Sequence, residues 1–119
     1  MHLSLTRVML FVKDPAALKD FYQKHFNAAL LEEINNEWVV LKAGIAELAL
    51  HKAGANDNPP GYKNNVKLVF TVDANLPAFR EQLVRSGVTM KEIKSFGNPP
   101  GLFCDGEDIE GNVFQVMQC

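Results

Sequence analysis

The chain has 119 residues, enough for one domain that buries roughly two-thirds of the surface its unfolded form exposes. Apolar residues make up 47% of it and charged residues 22%, which excludes the disordered and fibrous classes. The net charge of −2 lacks the basic excess that holds a phosphate backbone, so nucleic acid is not expected as a partner.

The sequence also argues against a membrane or an oxidising compartment. No apolar run approaches the roughly 20 residues of a membrane span, and Arg7 and Lys13 interrupt the apolar stretch near the N-terminus where a secretory signal would lie. The two cysteines, Cys104 and Cys119, have no metal-ligand spacing and make no disulfide framework. We therefore expect a cytoplasmic protein without a membrane partner.

The first half of the chain begins with an alternating strand over residues 5–12 and continues into a helix that ends near residue 26. Asp14 is the expected N-cap of this helix, and Pro15 follows it at the first helical position. Three strands are predicted next, over residues 28–34, 37–43 and 45–52. Residues 54–64 then have the composition of a linker.

The second half repeats the first at an offset of 60 residues. The strand at residues 67–72 matches the one at 7–12, and the helices end at Asn27 and Gly87, which both tolerate a left-handed backbone. Strands over residues 88–95, 102–105 and 113–118 complete this half. We predict a single domain, 1–119, with module 1 at about 1–53, the linker at about 54–64 and module 2 at about 65–119.

Two βαβββ modules, a strand-helix segment that ends in Phe21-Tyr22, and the closing turn Asp108-Ile109-Glu110-Gly111-Asn112 resemble the vicinal oxygen chelate superfamily. This superfamily contains glyoxalase I, extradiol dioxygenases and the bleomycin resistance proteins, and usually has proline where this chain has Ile109. The resemblance implies an α+β fold in which the two modules form a curved mixed sheet, shaped as a cup, with the helices on its outer face.

The two-residue period of a strand assigns the side chains that face such a cup. The predicted inward sets are Arg7, Met9 and Phe11; Glu47, Ala49 and His51; Lys67, Val69 and Thr71; and Val113, Gln115 and Met117. The alternate residues of the first strand, Val8, Leu10 and Val12, are expected to pack under the helix.

In metal-dependent members the resemblance implies one ligand on each of four strands, at the positions of Arg7, Glu47, Lys67 and Gln115. Arginine and lysine oppose a divalent cation by charge and offer it no lone pair. Of the other candidate ligands, His25 lies on the helix and His2 near the N-terminus, which leaves His51. We predict no metal site and no cofactor.

The cations allow two interpretations. Glu47 can pair with Arg7 or Lys67 in a structural set, or two cations against one carboxylate leave a surplus of +1 that favours an anionic or carbonyl-bearing ligand. Glu47 and His51 are the candidate catalytic residues, with His51 as a general base. The predicted ligand-binding residues are Arg7, Met9, Phe11, Glu47, His51, Lys67, Gln115 and Met117.

Three functions follow from this pattern. The preferred one is metal-independent binding of a small organic molecule, for which the bleomycin resistance proteins are the nearest analogue. The second is a glyoxalase-like lyase or isomerase, or a dioxygenase. The third is a structural or partner-binding protein whose cup is filled by its own Met and Phe side chains. A homodimer is expected, because exposed sheet edges gain from pairing.

Overall fold

The computed structural model describes residues 5–54, 66–97 and 100–118. The chain divides into two compact units, Met1–Pro60 and Gly61–Cys119. Apart from Gly54, the predicted linker at 54–64 lies outside the described residues, and so does His2.

The two helices are α1 (Pro15–Phe26) and α2 (Leu76–Arg85). The strands are β1 (Arg7–Val12), β2 (Ala29–Ile34), β3 (Trp38–Ala43), β4 (Ala46–Lys52), β5 (Leu68–Thr71), β6 (Thr89–Met90), β7 (Lys94–Phe96), β8 (Gly101–Glu107) and β9 (Val113–Gln118).

Unit one is a four-stranded sheet, in the order β1-β4-β3-β2, with α1 packed against β3 and β4. Strand β1 runs parallel to β4, and the other pairs are antiparallel. The helix begins where sequence predicted, because the carboxylate of Asp14 accepts from the N–H of Ala17 at 3.2 Å and Pro15 supplies a preset backbone angle. It ends at Asn27, whose φ of 53° is left-handed.

The predicted alternation of β1 is confirmed. Leu10 and Val12 are buried on the side of β1 that faces α1, whereas Arg7, Met9 and Phe11 are exposed on the other side. Phe21 and Tyr22 of α1 are also buried. The core of this unit therefore lies between α1 and one face of the sheet. On the other face Arg7, Met9 and Phe11 are exposed, whereas Ala49 and Val40, in register with Met9, are buried.

Unit two contains a sheet in the order β5-β9-β8-β6, with β7 also pairing with β8. Strand β5 runs parallel to β9. Helix α2 begins after Asn75, whose side-chain oxygen accepts from the N–H of Ala78 at 3.3 Å. Leu76 and Leu83 form its buried side, and the chain turns away at Gly87 with a φ of 87°.

Two predicted boundaries in unit two are wrong. The strand predicted at 88–95 is two short strands, β6 and β7, and the strand predicted at 102–105 extends over Gly101–Glu107. Between the two strands, the guanidinium Nε of Arg80, a residue of α2, donates to the carbonyl of Lys91 at 2.8 Å. That carbonyl is thus satisfied by a side chain instead of a neighbouring strand.

The offset of 60 residues does not persist through the modules. On β1 and β4, Met9 pairs with Ala49, 40 residues later. On β5 and β9, Val69 pairs with Gln115, 46 residues later. Module 2 is therefore six residues longer between its two parallel strands, and positions matched along the sequence repeat are not matched in the sheets.

None of the described helices is long and apolar enough to cross a membrane.

Candidate functional site

The sheet face of unit one that points away from α1 carries most of the predicted site, and we call it the Arg7 face. Because register partners on neighbouring strands share a face, its side chains form rows across β1, β4 and β3. The three rows are Arg7, Glu47 and Lys42; Met9, Ala49 and Val40; and Phe11, His51 and Trp38.

The first row contains an ion pair. The Nη2 and Nε atoms of Arg7 donate to the same carboxylate oxygen, Oε1 of Glu47, at 2.7 and 3.0 Å. The Arg7 and Glu47 side chains are 40% and 34% exposed, so the pair is worth only about 0.2–1 kcal/mol. Neither side chain has another hydrogen-bond partner in the described ranges, which leaves the Nη1 donor and the Oε2 acceptor available.

The third row is aromatic. The ring of His51 lies between Phe11, at a centroid distance of 5.3 Å, and Trp38, at 5.7 Å in an edge-on arrangement. The guanidinium carbon of Arg7 lies 5.6 Å from the centroid of the Trp38 ring, within range of a cation–π interaction. The long side chain of Arg7 therefore connects the ion pair to the aromatic row.

One hydrogen bond sets the state of the His51 ring. Its Nδ1 lies 2.8 Å from the carbonyl oxygen of Lys52, and a carbonyl can only accept, so Nδ1 carries the hydrogen. In the neutral ring Nε2 is then an acceptor, which is the state a general base requires. Glu47 lies four residues away on the same strand, about 13 Å along it, so the two candidate catalytic residues are not adjacent.

In unit two the corresponding surface, the Lys67 face, is organised around Asp105. The Nζ of Lys67 donates to Oδ2 of Asp105 at 2.9 Å, and Nε2 of Gln115 donates to Oδ1 at 3.0 Å. Register places Asp105 opposite Gln115, and Gln115 opposite Val69. Asp105 was not among the predicted site residues, although it joins two of them.

The carboxyl of Asp105 is held in its charged form. Burial by itself would raise the pKa of Asp105, but the hydrogen bonds from Lys67 and Gln115 and the charges of Lys67 and Lys91 outweigh it, so the pKa lies below its ordinary value.

The predicted surplus of positive charge is wrong. Lys67 is paired with Asp105 and not with Glu47, so each of the two cations has a carboxylate of its own. The Arg7 face also carries Lys42, opposite Glu47, and Glu32, opposite Val40. With two cations and two carboxylates this face is neutral, and the charge argument for an anionic ligand no longer holds.

Two further features of unit two are the position of Met117 and a small cavity beside Asp105. Met117, the last predicted ligand-binding residue, lies opposite Phe103 on β8 and is half-buried. A cavity of about 50 Å³ lies beside Asp105, far below the roughly 300 Å³ of a small-molecule site. It is lined by Thr89, Lys91, Asp105, Gly106, Glu107 and Val113.

The closing turn is held by the carboxylate of Asp108, which is 5% exposed. The backbone N–H groups of Glu110 and Asn112 donate to its Oδ1 at 2.9 and 3.0 Å, and Nδ2 of Asn112 donates to Oδ2 at 2.9 Å. Gly111 supplies a left-handed φ of 82°. Ile109 is 59% exposed, so this turn forms without the proline usual in the resembled family.

Cys104 lies on the opposite side of β8 and is 1% exposed. Burial raises the pKa of its thiol, so Cys104 is an unreactive core residue.

Comparison with known families decides the class of the protein. The profile of the Glyoxalase/Bleomycin resistance protein/Dioxygenase superfamily matches residues 4–116. The chain belongs to this superfamily. Its α+β fold, with two helices and sheets of four and five strands, is the glyoxalase fold that the sequence predicted.

Solved structures with the glyoxalase fold are similar over almost the whole chain. FosX, a fosfomycin resistance protein from Listeria monocytogenes, is 18% identical with a TM-score of 0.80, and the match covers 100% of this chain and 95% of FosX. Lactoylglutathione lyase from Agrobacterium tumefaciens is 18% identical with a TM-score of 0.77, covering 97% and 92% of the two chains.

An integron cassette protein from the mobile metagenome of V. cholerae is 22% identical with a TM-score of 0.73, covering 99% of this chain and 97% of its own. No curated protein matches the sequence. At these identities the structures show a shared fold.

The four positions implied by the superfamily do not fit a divalent metal. Arg7 and Lys67 offer no lone pair, and Glu47 is bound to the guanidinium of Arg7. Of the four positions, this leaves the amide oxygen of Gln115, whose nitrogen donates to Asp105. Within the described part of the chain, no group of three or more His, Cys, Asp or Glu side chains is placed to hold a metal ion.

Proposed function

We propose that this protein binds a small organic molecule without a metal, on the Arg7 face of unit one. The observation that carries the proposal is the Arg7–Glu47 pair, in which a guanidinium lies 2.7 Å from the carboxylate that a metal would use. A cation there competes with a metal for the same oxygen and repels it by charge.

The exposed apolar side chains beside this pair support binding. Met9 is 40% exposed and Phe11 57% exposed, although both lie on a regular strand. Large apolar side chains left at the surface next to a few polar groups are typical of ligand sites. Covering them would remove apolar area from water, which supplies the main favourable term in binding.

Metal analysis tests the first half of the proposal. Purified protein is expected to contain well under one equivalent of Mn, Fe, Ni or Zn. Calorimetric titration with Mn(II), the ion present in two of the Listeria FosX structures, is expected to show no saturable binding. A stoichiometric metal whose removal by a chelator abolishes ligand binding would refute metal independence.

Mass spectrometry tests the second half. Protein sprayed under native conditions is expected to carry a small molecule from the expression host, or to gain one from a library of uncharged and charged compounds. Failure of every compound to bind or to raise the melting temperature would favour the structural or partner-binding function.

The enzyme alternative, a lyase, isomerase or dioxygenase, is favoured by one observation. The bond from Nδ1 of His51 to the Lys52 carbonyl leaves Nε2 as a proton acceptor on the Arg7 face. A metal-free proton transfer would then depend on His51, and turnover lost in His51→Gln with ligand affinity retained would support it over simple binding.

A further inference from the structure

We infer that the Arg7 face takes a planar aromatic molecule carrying an uncharged carboxamide-type group, an inference that rests on the proposed function. The ring would lie against Phe11 and His51, and the polar group would meet the ion pair.

The aromatic row provides the surface for the ring. Phe11, His51 and Trp38 are held side by side on three neighbouring strands by the register of the sheet. Phe11 is the most exposed of the large apolar side chains on this row, and among the described residues its ring is in contact range of one other ring, that of His51. A planar ligand gains more from such a surface than a saturated one, because aromatic rings favour offset or edge contacts with one another.

The ion pair selects the polar group. The Nε and Nη2 atoms of Arg7 both donate to one oxygen of Glu47. The pair therefore presents the Nη1 donor of Arg7 beside the Oε2 acceptor of Glu47. A carboxamide matches both, since its carbonyl accepts from Arg7 and its NH₂ donates to Oε2 of Glu47.

The same pair discriminates against charged ligands. A carboxylate would approach the negative charge of Glu47, and an ammonium would approach the positive charge of Arg7. An uncharged amide meets neither repulsion. Binding sites commonly gain specificity in this way, by repelling the wrong ligands as well as attracting the right one.

The two parts of the site are close enough for one ligand. The guanidinium of Arg7 reaches along the sheet to within 5.6 Å of the Trp38 ring centroid, and Trp38 is 5.7 Å from His51. A two-ring molecule therefore spans the distance from the guanidinium to the His51 ring. Met9 lies between the rows on β1, where its flexible thioether can adapt to the ligand.

The experiment uses 2-naphthamide as the probe. Calorimetry gives affinity, and a ¹⁵N–¹H spectrum gives location, because Trp38 is the only tryptophan of the chain and has a single indole N–H signal. We expect saturable binding that shifts this signal, with affinity about tenfold above that of the saturated analogue decahydronaphthalene-2-carboxamide and that of 2-naphthoate.

Variants separate the ring from the polar group. Phe11→Leu keeps an apolar side chain but removes the ring, and should lower the affinity for 2-naphthamide about fivefold. Its control is Phe96→Leu, which changes a partly exposed phenylalanine of unit two, 38% exposed against 57% for Phe11, and should leave the affinity unchanged. Glu47→Gln should reverse the preference for 2-naphthamide over 2-naphthoate. Arg7 then has no negative partner on Glu47, and its positive charge attracts the carboxylate of 2-naphthoate.

Several results would overturn the inference: equal affinity for the saturated amide, equal affinity for 2-naphthoate in the unaltered protein, or binding that leaves the Trp38 signal in place. Conversion of a dimer into monomers by Phe11→Leu, with ligand affinities unchanged, would make this face a contact between copies and also overturn it. If non-aromatic molecules bind and 2-naphthamide does not, only this inference falls; if nothing binds, the proposed function falls with it.

Discussion

Arg7 and Lys67 occupy equivalent places in the sequence repeat, but they form ion pairs of different kinds. Arg7 binds one oxygen of Glu47, and the two residues lie opposite each other on the parallel strands β1 and β4. Lys67 reaches past β9 to Asp105 on β8, and Gln115 of β9 binds the other oxygen of the same carboxylate. The first pair keeps polar atoms available for a ligand, whereas the carboxylate of the second is occupied on both oxygens.

Asp105 gives a test of the second pair through pH. Asp105→Asn removes the charge that binds Lys67, and should lower the free energy of unfolding at pH 7 by about 1 kcal/mol, the upper end for partly exposed pairs. The folded pKa of Asp105 is depressed, so its contribution is complete above the unfolded pKa of about 4 and is lost as pH falls through the folded value.

Urea unfolding at pH 7 and near pH 2 measures this difference. Glu107→Gln is the matched control, because Glu107 is an exposed carboxylate on the same strand with no ion pair to a described residue. A cost of Asp105→Asn that stays constant down to the lower pH would contradict the role of the charge.

The sequence predicted the faces of single residues but not their partners. Arg7, Met9 and Phe11 follow the two-residue period of a strand, and the structure confirms them on one face. Asp105 was missed because no inward-facing set was predicted for the strand at 102–105, of which it is the last residue. The register between β8 and β9 places Asp105 opposite Gln115, and the sequence alone does not give that register.

Among the elements, the turn between β8 and β9 is held by several hydrogen bonds over five residues. The backbone N–H of Asp108 donates to the carbonyl of Asn112 at 2.9 Å, and that of Gly111 donates to the carbonyl of Asp108 at 3.0 Å. The side chain of Asp108 accepts from the backbone N–H groups of Glu110 and Asn112. This turn fixes where β9 starts, and therefore where Gln115 lies.

Asp108→Ala should lower the free energy of unfolding by about 2–3 kcal/mol, because it leaves partly buried N–H groups of Glu110 and Asn112 without an acceptor. Asp108→Asn should cost less, since its remaining carbonyl oxygen can still accept from both N–H groups. Denaturant unfolding of the unaltered protein and of the two variants measures the order of their free energies of unfolding. Equal stability of Asp108→Ala and the unaltered protein would show that water satisfies the turn.

Element boundaries were predictable where a local signal sets them. Asp14, Pro15 and Asn27 determine both ends of α1, and all three signals are readable in the sequence. The split between β6 and β7 coincides with a contact from Arg80, eleven residues before the carbonyl that it binds. No local pattern in residues 88–95 shows that contact, so a continuous strand was the natural prediction.

At the scale of the whole molecule, strand β2 of unit one is exposed along its whole length. Every residue of Ala29–Ile34 is exposed, including the large apolar side chains of Leu30, Leu31 and Ile34. The strand lies at the edge of its sheet, and such an edge invites pairing with another chain.

We expect a homodimer in sedimentation velocity, and we expect Leu31→Lys to shift it toward monomer, since a charge on an edge strand opposes pairing. Ile45→Lys is the matched control, because Ile45 is fully exposed in the turn between β3 and β4. A monomer at every concentration would contradict the expected dimer, and a dimer unaffected by Leu31→Lys would place its interface elsewhere.

The family was predictable from sequence because it depends on the order of elements and on the closing turn, both of which are local. The balance of charge on the Arg7 face was not predictable from the sequence. It depends on which carboxylate each cation meets, and on Lys42 and Glu32, whose position on the Arg7 face follows from register across three strands. Sequence periodicity gives the face of a residue, and register gives its neighbours.

The six extra residues between the parallel strands of module 2 make the two halves of the chain non-interchangeable. A protein assembled from two copies of unit one would hold two Arg–Glu pairs and two aromatic rows, and would lack the carboxylate at which Lys67 and Gln115 meet. The two halves therefore differ in their polar groups: unit one has polar atoms without a described partner next to exposed rings, whereas both oxygens of the Asp105 carboxylate in unit two already accept hydrogen bonds.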